Sequence, residues 1–91
     1  MKNVKVLNGK ELKMVEFKVD FPIGDELDFT YGEGIPTGTK VIDGEVYIPQ
    51  GSTYYFGDNP YNGGQILVDN EGGEIDIIIE DNEIDEIVTY K

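Results

Sequence analysis

Apolar residues in this chain alternate with polar ones over short runs, the period of strands that turn one face inward. Val4, Val6, Leu12 and Met14 alternate around Asn8-Gly9. A three-residue loop, Leu7-Asn8-Gly9 with Gly9 left-handed, sets Val4 opposite Leu12 and Lys5 opposite Glu11, an opposite-charge cross-strand pair. A two-residue Asn8-Gly9 turn would pair Leu7 with Lys10 and mix the faces. After Met14 the phase inverts to Val15, Phe17, Val19 and Phe21. A strand of period two changes face only at a bulge or bend, so a corner is expected near residues 14–15. Pro22-Ile23-Gly24 should end this strand, and Leu27, Phe29 and Tyr31 read as the next.

Residues 32–38 are a loop by composition. Asp43-Gly44 suits a type I′ turn that places Val41 opposite Val46, and Pro49 closes the returning strand. Gln65 to Asp69 is a short strand and residues 70–73 a turn. Ile75, Ile77 and Ile79 alternate with Glu74, Asp76 and Ile78 on the other face. Asp81-Asn82 makes a last turn. Ile84, Ile87 and Val88 fit a helical stripe, but the β-branched content and short length favour a strand from Ile84 to Tyr90. The pattern predicts one all-β domain over residues 1–91, a small antiparallel β-sandwich or partly open β-barrel of about seven or eight short strands joined by Gly, Asn and Asp turns.

Composition narrows the chemistry. The 91 residues are 38% apolar, enough for a modest core, and include no Cys, His, Trp or Arg. Without Cys or His there is no thiolate nucleophile, no imidazole base for Ser52 and no His/Cys zinc site. Without Arg there is no bidentate fork for phosphate. No catalytic residues, metal ligands or cofactor are therefore expected. No apolar run is long enough to span a membrane, and the opening MKNVKVLNGK lacks the apolar core of a signal peptide, so cytoplasmic residence is expected.

Charge divides the chain. The net charge is −12. Lys2, Lys5, Lys10, Lys13 and Lys18 fall on the first hairpin, whereas residues 20–91 carry two lysines against 17 acids. Such a surface repels nucleic acid and anionic lipid and attracts basic proteins. The acids concentrate at Asp69, Glu71, Glu74, Asp76, Glu80, Asp81, Glu83, Asp85 and Glu86, with no basic residue among them. On a strand, alternate side chains share a face at about 6.6–6.8 Å, so Glu74 and Asp76, backed by isoleucines, imitate the scale of a phosphate backbone. The plainer alternative is a solvated face that blocks edge-to-edge aggregation. Calcium binding by Asp81 to Glu86 is disfavoured, because Glu86 stands where an EF-hand loop needs glycine.

The segment GSTYYFGDNPYNGG, residues 51–64, holds four of the ten aromatics. On a strand, Tyr54 and Phe56 face one way and Tyr55 the other. Exposed tyrosines beside glycines offer flat contact area with a hydroxyl, so Tyr54, Tyr55, Tyr61 and Asn62 form a candidate ligand site. Glycine turns around aromatics that fill the core are the simpler account. The expected function is a non-catalytic acidic binding or inhibitor protein that presents its carboxylate-rich hairpin to a basic, nucleic-acid-binding protein as a decoy. A small-molecule binder using the tyrosine loop and an assembly subunit that forms homo-oligomers are the alternatives.

Overall fold

Asn8 and Gly9 adopt φ of 47° and 81° in the computed structural model, which describes residues 3–91. Positive φ at both central residues is the type I′ geometry, and its twist matches the flanking strands. The turn joins β1 (Val4–Leu7) to β2 (Lys10–Phe17), with Leu7 opposite Lys10 and Val4 opposite Lys13. The expected three-residue loop is thus corrected by one residue, because Asn8 itself takes the left-handed conformation. Lys5 and Leu7 now share the face of Leu12, and Val6 is left exposed.

No corner occurs at residues 14–15. The pairing of β2 with β6 (Thr53–Asp58) runs unbroken from Lys13–Phe56 to Glu16–Thr53. The phase change is real, but it arises because this sheet buries apolar groups on both faces. Val15 and Phe17 point into the main core, whereas Leu12 points the other way and packs with Ile66, Val68, Leu7 and Tyr55. Gly57 makes this second cluster tight. A Cβ there would lie 2.8 Å from Leu12 Cδ2 and 3.0 Å from the Glu11 carbonyl oxygen.

The larger sheet continues through β7 (Gln65–Val68) to β8 (Glu74–Ile77), in the order β1-β2-β6-β7-β8. The smaller sheet holds β3 (Phe21–Asp25), β4 (Lys40–Ile42) and β5 (Glu45–Ile48), in the order β3-β5-β4. Asp43-Gly44 forms the expected turn, with φ of 50° and 81° and Val41 opposite Val46. Phe21, Ile23 and Ile48 of this sheet close over Phe17, Tyr54, Phe56, Leu67, Ile75 and Ile77. Burying each such side chain contributes about 1.5–3 kcal/mol. The architecture is a small all-β sandwich.

Two segments differ from expectation. Residues 26–31, expected as a strand, form helix α1 (Glu26–Tyr31). Pro22 and Gly24 flank a register break in β3, and past it the chain leaves the sheet. Glu26 and Asp28 then favour the positive end of a helix. Phe29 lies across Gly24, while Leu27 and Tyr31 are exposed. The alternation at 27, 29 and 31 therefore marks no buried face. At the C-terminal end, the expected strand from Ile84 is instead a 3₁₀ turn (Asp81–Glu83), helix α2 (Ile84–Ile87) and only then β9 (Val88–Tyr90). The cause is topological. β8 is an outer strand, whereas β9 pairs with β2, setting Val88 opposite Phe17. The chain must cross the sheet between them, and Ile84 and Ile87 pack on the core as it does so. No helix among the described residues is long and apolar enough to cross a membrane.

Candidate functional site

The nine acids expected on one hairpin occupy three different settings. Asp69 is structural. Its Oδ1 accepts the N–H groups of Glu71 and Gly73, both at 2.8 Å, and so closes the β7–β8 turn. Glu71 projects from that turn. Glu74 and Asp76 are exposed on β8, while Ile75 and Ile77 anchor the same strand in the core. Glu80, Asp81, Glu83, Asp85 and Glu86 lie on the segment that leaves the sheet. The regular pitch of a strand therefore applies to Glu74 and Asp76 alone, and the single carboxylate-bearing hairpin is corrected to an edge strand plus a separate helical segment.

Little offsets these charges. The two ion pairs among the described residues are Lys40–Asp20 at 2.9 Å and Lys91–Glu16 at 2.7 Å, and neither involves the nine. Lys18 Nζ reaches the backbone oxygen of Asp85 at 2.6 Å. Lys5, Lys10 and Lys13 stay on the β1–β2 hairpin, and Lys2 lies outside the described residues. No group of three carboxylates among the described residues converges as a metal site.

The tyrosine segment divides between core and surface. Tyr54 is buried with its ring edge-on to Phe17, centroids 6.0 Å apart. Burial pushes the Tyr54 phenol above its ordinary value, and the charge of Asp69 adds to the effect. Tyr55 lies half-buried on the outer face against Leu12, Ile66 and Val68, with Lys5 Nζ 5.7 Å from its ring centroid. Tyr61 is 59% exposed, and Asn62 Oδ1 accepts the Gly64 N–H at 2.9 Å to shape the loop. The four residues grouped as a ligand site thus lie on the two faces of β6 and on the loop beyond it, and they do not converge.

Asn59 organises that loop. It is the one buried polar side chain among the described residues. Its Oδ1 accepts the Tyr61 N–H at 2.9 Å, and its Nδ2 donates to Asp76 Oδ1 at 3.0 Å. The loop is thereby tied to the acidic strand. Sequence reasoning passed over Asn59 because a turn asparagine is ordinarily solvated.

It also missed a groove of about 630 Å³ between the two sheets. Phe21, Pro22 and Ile23 of β3 form one wall, and Asp76, Ile77 and Ile78 form the other, with residues 62–64 at the end. Ile78 is 80% exposed. The signal was present in Ile77-Ile78-Ile79, where alternation must turn the middle isoleucine outward. No protein-family model matches the chain, and comparison with curated proteins and with solved structures finds no match for it.

Proposed function

We propose that this chain is a non-catalytic binding protein that engages a basic protein through the acidic surface centred on β8. One observation carries the reading. Glu74 and Asp76 project from a strand whose alternate isoleucines are locked in the core, and among the described residues no lysine lies within ion-pairing distance of either carboxylate. Fixed, unneutralised carboxylates steer a cationic partner and cost little to organise on binding. A protein that handles nucleic acid fits this description, since its own surface is arranged for anions at the spacing of phosphates. The dispersal of Tyr54, Tyr55, Tyr61 and Asn62 favours this reading over a small-molecule site.

The test uses the wild-type chain and a Glu74→Gln/Asp76→Asn/Glu80→Gln/Asp81→Asn variant as baits in a cell lysate, washed at about 0.05 M and then about 0.5 M salt, where screening collapses exposed attractions. The expected result is a discrete basic protein held by the wild type, displaced by added duplex DNA or by salt, and absent from the variant. Equal capture of a mixture by both baits would reduce the acids to surface charge.

A further inference from the structure

The turn that closes β7 and β8 fixes the direction of the backbone groups on β8. The Asp69 N–H donates to the Gly73 carbonyl oxygen at 2.9 Å while the Gly73 N–H returns to the Asp69 side chain, which sets Asp69–Gly73 in the hydrogen-bonded phase of the ladder. Bonded and non-bonded pairs alternate along an antiparallel ladder. Leu67–Ile75 and Gln65–Ile77 are therefore bonded pairs, and Val68–Glu74 and Ile66–Asp76 are not. The N–H and C=O groups of Glu74 and Asp76 consequently point away from the sheet, and those of Ile78 follow in phase. Among the described residues, no other strand or loop bonds to them.

This edge also borders the groove. Its floor is apolar at Phe21, Ile23 and Ile77, Asp76 stands at its rim, and the exposed Glu74 and Asp76 alternate with the buried Ile75 and Ile77 along β8. A strand laid beside β8 would put alternate side chains into the groove and the intervening ones beside the carboxylates. The neighbouring edge of β3 is spoiled by Pro22 and its register break. β8 carries neither proline nor lysine.

We propose that the outer edge of β8 takes an extended segment of the basic partner as an added strand, with apolar side chains in the groove and lysines or arginines over Glu74 and Asp76. This deepens the function proposed above and rests on it. Charge complementarity selects the occupant. The net charge of −12 sets a second copy of this chain against the first, whereas a cationic strand is drawn in. Main-chain bonds supply affinity in this mode of recognition, and alternate side chains supply specificity.

The probe is a capped peptide of about seven residues, the length of an ordinary strand, alternating lysine and valine. Its control is the same peptide N-methylated on the amides that would face β8, which keeps the charge and side chains and removes the donors. Binding is followed by amide NMR of the full chain. The expected result is that the first peptide binds, protects the Asp76 and Ile78 amides from exchange, and binds at least about tenfold more tightly than the control, as the loss of two or more backbone bonds implies. Ile78→Pro, which removes one outward N–H and no ladder bond, should weaken the first peptide alone. Equal binding of the two peptides overturns the added strand while leaving attraction to a basic partner standing. Binding of neither overturns the added strand, and the lysate capture then decides separately whether a basic partner exists. Self-association of the chain through β8, seen by sedimentation, overturns the choice of occupant.

Discussion

The side-chain amide of Gln65 pairs with the backbone of Ile79 as a neighbouring strand would. Gln65 Oε1 accepts the Ile79 N–H at 2.8 Å, and Gln65 Nε2 donates to the Ile79 carbonyl oxygen at 3.0 Å. The ladder between β7 and β8 ends at Gln65–Ile77, and this amide extends it by one bonded position, keeping Ile79 in the core. Gln65→Ala should destabilise the fold by about 1–3 kcal/mol, two net hydrogen bonds' worth, measured by urea unfolding. Gln65→Glu keeps an acceptor for the Ile79 N–H but cannot donate back, so its cost should fall between wild type and alanine, with faster hydrogen exchange at the Ile79 amide. An unchanged exchange rate in both variants would show that the pairing does not hold β8 in place.

Asn59 is the second pin. Asn59→Ala removes the bonds to Tyr61 and Asp76 and should cost about 1–3 kcal/mol. Asn59→Asp separates the two roles. It retains the acceptor for the Tyr61 N–H but sets a second carboxylate where Nδ2 now lies 3.0 Å from Asp76 Oδ1. Its penalty should be greater than alanine's near neutral pH and shrink below about pH 4, where carboxyls protonate. Urea midpoints at the two pH values decide the matter. A penalty independent of pH would mean that Asp76 turns away to solvent.

Local signals carried the parts of the fold that depend on local geometry. Asp43-Gly44 and the alternation at Ile75, Ile77 and Ile79 were legible because a turn and a half-buried strand each have their own residue requirement. The faces of Tyr54 and Tyr55 followed from the same period. Helix α1 was not legible, since Leu27 and Tyr31 are apolar yet exposed and mimic a strand's buried face. Nor was the path of residues 81–90, which is set by pairing between Val88 and Phe17, far apart in the chain. Apart from Asp69, which closes the β7–β8 turn, the acids of the candidate site were recognisable as exposed, but their division between β8 and the crossing segment depends on that pairing. The groove needs β3 and β8 side by side, and no single stretch of sequence specifies that.

Gly57 and Leu12 form a pair whose sizes are matched. Gly57→Ala forces a Cβ to within 2.8 Å of Leu12 Cδ2 and 3.0 Å of the Glu11 carbonyl oxygen, and overpacking of this kind costs about 1–3 kcal/mol. Leu12→Ala removes a fully buried side chain and should cost about 2–5 kcal/mol. The double substitution should cost measurably less than the sum, because alanine at 12 clears the side-chain half of the clash. Strict additivity would place the whole strain at the Glu11 backbone.

Alkaline pH should weaken the fold through Tyr54. Burial first, and the charge of Asp69 second, raise the Tyr54 phenol above its unfolded value. The folded state therefore favours the protonated form. Below the ordinary phenol value of about 10, both states hold the proton and the contribution is fully present. As pH rises past that value, the unfolded chain releases its proton first, and stability falls until the folded phenol also ionises. Tyr90 is raised in the same direction, by burial and then by Asp85 and Asp58, so part of the loss belongs to it. Tyr54→Phe should leave stability at about pH 8 nearly unchanged and flatten the decline between about pH 9 and about pH 11. Tyr90→Phe should flatten it less, since its ring is half-exposed. Urea midpoints across this range read both effects. An equally steep decline in the Tyr54→Phe variant would mean that the Tyr54 hydroxyl faces water, and that the edge-on contact with Phe17 does not hold the ring inside.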